Sequence, residues 1–123
     1  NGWDEVRRRA RVFLITTKDQ ASIKHFNHHW GLGIPAKNIW TQERALTKGE
    51  IAARILKKSR NEPENLLFVD DHPDHLKDVS TTGARCFWAS WGYLGAQGKT
   101  PAAGSNFISI SRLAEILPYL TTD

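Results

Sequence analysis

Leu66-Leu67-Phe68-Val69-Asp70-Asp71-His72-Pro73-Asp74-His75-Leu76 changes character in its middle. The first four residues are continuously apolar, the pattern of a strand buried on both faces. Two carboxylates then enter a turn. Pro73 suits the first turn of a helix, which runs towards Thr82, and Gly83 is placed to end it. A buried strand that turns directly into a helix is the building unit of an α/β protein with a parallel sheet.

The same unit recurs on either side. Residues 47–60 read as a helix, opened by a capping box of Thr47 and Glu50 and carrying an apolar stripe of Ile51, Ala52, Ile55 and Leu56. Residues 38–41 are a short strand candidate, set off from a helix at 19–30 by Gly31-Leu32-Gly33-Ile34-Pro35. Ile23, Phe26 and Trp30 share one face of that helix. Val12-Phe13-Leu14-Ile15 is a second buried strand, preceded by a charged helix at 3–11. Downstream, Pro63 lies in a turn at 61–65, residues 85–89 form a strand, and 90–106 are a Gly-, Ala- and Ser-rich loop. An edge strand at 107–110 leads to a helix capped by Ser111, with Leu113, Ile116, Leu117 and Leu120 facing inward. The expected architecture is α/β, a Rossmann-like three-layer sandwich with a mainly parallel sheet, in a single domain over residues 1–123.

Composition narrows the classes. With 40% apolar and 24% charged residues the chain is of ordinary globular type. It contains no apolar run of the roughly 20 residues a membrane span needs, and no leader pattern opens it. One cysteine, Cys86, excludes an intrachain disulfide and reads as a buried structural thiol, so a reducing, cytoplasmic setting is expected. The net charge of +4 comes from scattered clusters at 7–11 and 57–60. Each reads as a solvated helix face, which makes nucleic acid an unlikely partner and leaves anionic metabolites open.

In open parallel sheets, ligands bind beyond the carboxyl ends of the strands. Three such positions carry chemistry. Thr16 and Thr17 follow the first strand, where a hydroxyl beside backbone N–H groups binds a phosphate oxygen or caps the next helix. Lys48 opens the strongest helix, where the helix dipole disfavours a cation. It therefore points outward to solvent or meets an anion. Asp70 and Asp71 repel one another unless donors or a cation hold them, and hard oxygen ligands of this kind suit Mg²⁺. The alternative is one helix cap beside one exposed acid. The imidazoles of His72 and His75 fit no zinc spacing, and His25, His28 and His29 read as surface residues.

Taken in order, VFLITTKD, TKGEIAARIL and LLFVDDHPDHL resemble the second, third and fourth motifs of the haloacid-dehalogenase-like superfamily. Receiver domains of response regulators share parts of the pattern, but there the acidic pair comes first. The resemblance spans about residues 11–90 and implies a phosphohydrolase acting on a phosphorylated small molecule. It implies that Thr16 and Thr17 hold phosphoryl oxygens, that Lys48 offsets charge on the nucleophile and the phosphoryl group, and that Asp71 with Asp70 holds Mg²⁺. Thr16 and Lys48 are thus the expected catalytic pair.

The family's first motif is an apolar strand ending in Asp-x-Asp, central in the sheet between the strands that end here at Thr16 and Val69. Nothing before Val12 supplies it, since Asp4 follows Gly2 and Trp3. The expectation is a sheet without its first strand, inactive until that segment is supplied. Unpaired strand edges favour a homodimer or a complex with the missing N-terminal segment. A non-catalytic interaction or anion-binding module, and a nucleic-acid end-processing phosphatase, are the alternatives. Ser90-Trp91-Gly92-Tyr93-Leu94-Gly95 either contributes to a substrate mouth or packs internally.

Overall fold

A computed structural model of the chain describes residues 2–91 and 107–120. The helices are α1 (Trp3–Arg9), α2 (Gln20–His29), α3 (Lys48–Ser59) and α4 (Pro73–Ser80), and a 3₁₀ segment, Leu113–Tyr119, closes the described chain. The strands are β1 (Leu14–Ile15), β2 (Ile39–Trp40), β3 (Leu67–Asp70), β4 (Arg85–Ala89) and β5 (Ile108–Ile110). The class is α/β, and every strand pairing among the described residues is parallel.

Local chemistry accounts for the element ends. Asp19 caps α2 by accepting from Ser22 N, and Thr47 caps α3 in the expected capping box with Glu50. Pro73 takes the first turn of α4, while His72 Nδ1 accepts from Asp74 N at 3.2 Å. Past the end of α4, Gly83 adopts φ +91, a left-handed conformation that suits glycine. The expected Ser111 cap is not found: Arg112 occupies that position, and Glu115 accepts from the backbone N–H groups of Ser111 and Arg112. Pro118 lies inside this last segment, which is a 3₁₀ helix rather than an α-helix; proline lacks the N–H an α-helix would use there.

β3 and β4 sort their side chains by the period of two. Phe68, Cys86 and Trp88 face Ala52 of α3 and Leu76 and Val79 of α4. Phe87 faces the opposite way, with Leu67 and Val69, towards Val6 of α1, Ile110 of β5 and Ile116 of the 3₁₀ segment. A helical layer therefore covers each face of this sheet, an arrangement compatible with a Rossmann-like sandwich.

The single sheet expected from sequence is divided in two. β1 pairs with β2, and β3, β4 and β5 form a second sheet in that order. β1 and β3 do not pair. Between them lies a cavity of about 280 Å³ whose walls include Val12, Phe13, Leu14 and Ile15 on one side and Leu66, Leu67, Phe68 and Val69 on the other. Closing the gap would require the helices on each face to shift together, and close-packed layers resist that. β1 and β3 thus each keep one edge outside any described ladder, facing a shared apolar slot.

The candidate active site at the strand ends

The amino-terminal approaches to the two facing strands, Arg11 and Phe13 on one side and Asn65, Leu66 and Leu67 on the other, share one cleft. Their carboxyl ends, Ile15 and Asp70, accordingly lie towards the other end of the slot. Ile15 packs against the core cluster that contains Phe68, so Thr16 and Asp70 leave neighbouring strands.

Asp70 and Lys48 meet directly. Lys48 Nζ donates to Asp70 Oδ2 at 2.7 Å, and the two side chains are 14% and 9% exposed. The same carboxylate accepts from His72 N at 2.9 Å through Oδ1, and His75 Nδ1 lies 3.3 Å from Oδ2. The rings of His72 and His75 stack with centroids 4.4 Å apart. Burial pushes the Asp70 carboxyl upward, but the Lys48 hydrogen bond, the His72 N–H and the charges of Lys48 and His75 together outweigh it and hold the group below the usual carboxylate range.

This geometry explains a cation in the first turn of a helix. Lys48 neither points outward nor depends on a distant anion; its partner is the carboxylate at the end of β3. A second acid lies close by, since Asp78 Oδ2 of α4 accepts from Gly49 N at 2.7 Å. Gly49 leaves room for that carboxylate, because a Cβ there would come within 2.5 Å of Asp78 Oδ1.

Asp71 is differently engaged. Its backbone carbonyl accepts from Trp88 Nε1 at 3.1 Å, which ties the turn after β3 to the core. Thr16 Oγ1 accepts from Lys18 N at 3.1 Å, and Thr16 N donates to Trp40 O at 3.0 Å. Thr17 is exposed. The loops after β1 and β2 are joined further by Gln42 N donating to Lys18 O at 3.1 Å and by Glu43 accepting from Gln20 N and Thr41 Oγ1. Of the five site positions expected, Lys48 and Asp70 are brought into contact; Thr16 bonds within its own loop and to β2.

As a cradle for Mg²⁺ the described residues are incomplete. Both oxygens of Asp70 already accept hydrogen bonds, one of them from a cation, and no cluster of three or more metal-ligating side chains occurs among the described residues. Hard divalent cations ask for more open oxygen ligands than this.

His75, His72 and Asp78 also lie at this candidate site, although the sequence does not mark them for it. The signal was faint: Pro73 at the first turn of α4 brings His75 back under Asp70, whereas nothing in the spacing ties Asp78 to Gly49. Of the proposed substrate mouth, only Ser90 and Trp91 are described; residues 92–95 lie outside the described residues. Compared with family models, with curated proteins and with solved structures, the chain finds no match.

Proposed function

We propose that this chain carries the second, third and fourth motif positions of a haloacid-dehalogenase-like phosphohydrolase whose active site is completed by a strand inserted between β1 and β3. The observation that carries the reading is the nearly buried pair of Lys48 and Asp70 at the carboxyl end of β3. It joins two positions, 22 residues apart in sequence, that the motif order had marked independently. A structural ion pair needs no such location, whereas phosphoryl transfer needs fixed charge at a strand end, where a phosphate is positioned and its charge neutralised.

The slot between β1 and β3 supplies the second half of the reading. A parallel strand lying there would pair with the two edges left outside the described ladders, fill the apolar gap, and end between Thr16 and Asp70. An aspartate at its end would attack phosphorus and form an aspartyl-phosphate as the ester oxygen leaves. A second carboxylic acid would protonate that oxygen. Water would then attack the aspartyl-phosphate, releasing inorganic phosphate and restoring the carboxylate. Thr16 would donate to a phosphoryl oxygen. Lys48, held by Asp70, would offset negative charge. Because the described residues do not complete a Mg²⁺ site, no step is assigned to the metal.

The test is complementation. The chain is assayed alone with p-nitrophenyl phosphate and Mg²⁺, then with an apolar strand ending in Asp-x-Asp fused ahead of residue 1 through a flexible linker. No turnover is expected from the chain alone. The fusion is expected to turn over, with loss of activity in Lys48→Ala and in the fused strand's first Asp→Asn. Turnover by the highly purified chain alone that vanishes in Lys48→Ala would overturn the reading. So would a folded fusion that remains inactive.

A further inference from the structure

The two basic clusters that look unrelated in sequence converge. Arg11, just before β1, and Lys58, on α3, line one cleft of about 500 Å³, together with Lys37 from the turn before β2. That volume lies within the range of small-molecule sites, roughly 300–1,000 Å³. None of the three cations has an ion-pair partner among the described residues. The cleft is also lined by Phe13, Ile55 and Trp40.

Trp40 provides a separate observation. Its Nε1–H is buried and has no hydrogen-bond partner among the described residues. One face of the same indole is covered by the Arg44 guanidinium, 4.7 Å from the ring centroid. Buried N–H groups are nearly always paired in folded proteins, so an orphaned one beside a cleft marks a place for an acceptor.

We infer that this cleft binds a small organic phosphate, with Arg11, Lys37, Lys58 and the Trp40 indole N–H directed to the phosphate and Phe13 and Ile55 against its apolar body. Four donors and no carboxylate suit a dianion with three terminal oxygens better than a carboxylate with two. The cleft shares no lining residue with Thr16, Lys48, Asp70 or Asp71 and opens at the amino end of β1. Arg11, Phe13 and Ile55 also line the slot between β1 and β3, so the cleft is separate from the residues at the strand ends but adjoins that slot.

Phenyl phosphate titrated into the ¹⁵N-labelled chain tests it, with phenol and inorganic phosphate as the two partial probes. The Trp40 indole resonance, one of five in the chain, is assigned by its loss in Trp40→Phe. Phenyl phosphate is expected to shift that resonance downfield and to bind more tightly than either partial probe. Arg11→Gln, Lys37→Gln and Lys58→Gln are each expected to weaken binding by about threefold to fivefold, the scale of an exposed ion pair. Lys77→Gln, an exposed position on α4 outside the cleft, should leave the titration unchanged. Binding that survives the triple Gln variant would overturn the assignment. So would an unmoved Trp40 resonance. A single-stranded oligonucleotide that binds more tightly than phenyl phosphate, with steep salt dependence, would assign the face to a polyanion backbone and overturn it as well.

Discussion

Replacing Lys48 by Met keeps a long unbranched side chain and removes the charge. Asp70 is then a nearly buried carboxylate facing only the His72 N–H and His75. Deleting one partner of a buried pair typically destabilises by about 3–5 kcal/mol. Two things reduce that here. The His72 N–H continues to hold Oδ1, and removing a cation from the first turn of α3 returns about 0.3–1 kcal/mol of helix-dipole energy. The net loss at neutral pH should therefore be about 2–3 kcal/mol. The pH dependence follows from the Asp70 carboxyl, which is depressed in the folded protein. Its contribution to wild-type stability is fully present above the unfolded value of about 3.9 and is lost as pH falls through the lower folded value. In Lys48→Met the burial effect is no longer opposed by lysine, so the carboxyl shifts upward and takes a proton at higher pH, which relieves the variant. The gap between wild type and variant should thus narrow on acidification. Urea unfolding at a series of pH values measures it, with Asp70→Asn and the double variant completing a cycle that isolates the coupling. A gap below about 0.5 kcal/mol that does not change with pH would mean that the pair behaves as a solvated surface contact, and the reasoning would fail.

Gly49→Ala should destabilise by about 1–2 kcal/mol in the same assay, despite alanine's better helix propensity, because the new Cβ displaces the Asp78 carboxylate from Gly49 N; an unchanged or raised stability would show that Asp78 moves at little cost. Burial pushes the Cys86 thiol up to about 11, so it should resist Ellman's reagent at neutral pH until urea unfolds the chain, and fast labelling of the folded protein would contradict the packing around it. Mg²⁺ should bind the isolated chain only weakly, on the order of millimolar or weaker, through Asp71. Calorimetry or NMR titration checks this, and equal binding by Asp71→Asn would remove that residue from the candidate ligand set.

The strand–helix alternation was legible because it depends on local pattern. Leu66 to Val69 read as a buried strand and β3 runs one residue later, Leu67–Asp70, with Phe68 buried and its neighbours half-buried, while Thr47 and Glu50 open α3 as their spacing requires. The parity of β3 and β4, which divides Phe68 from Val69 and Cys86 from Phe87 between two cores, follows from the same local rule. Where local rules compete, the observed helix end differs from the expected one. Ser111 has the chemistry of a cap, but Glu115 turns back to the Ser111 and Arg112 backbone, and Pro118 keeps the segment in 3₁₀ form.

What sequence by itself determined is therefore the class and the order of elements; it also marked Thr16, Lys48 and the Asp70-Asp71 turn as candidate site positions. Tertiary structure decided which of these meet. Lys48 resolves its conflict with the α3 dipole through Asp70, the turn at Pro73 folds His75 back onto the same carboxylate, and Asp78 reaches Gly49 from α4. It also left the β1–β2 pair apart from the β3–β4–β5 sheet and gathered Arg11, Lys37 and Lys58 around Trp40. The physical reason is range. Backbone propensity, capping and side-chain period act over a few residues, whereas ion pairing, orphaned donors and unfilled volume depend on packing between segments that spacing alone does not bring together.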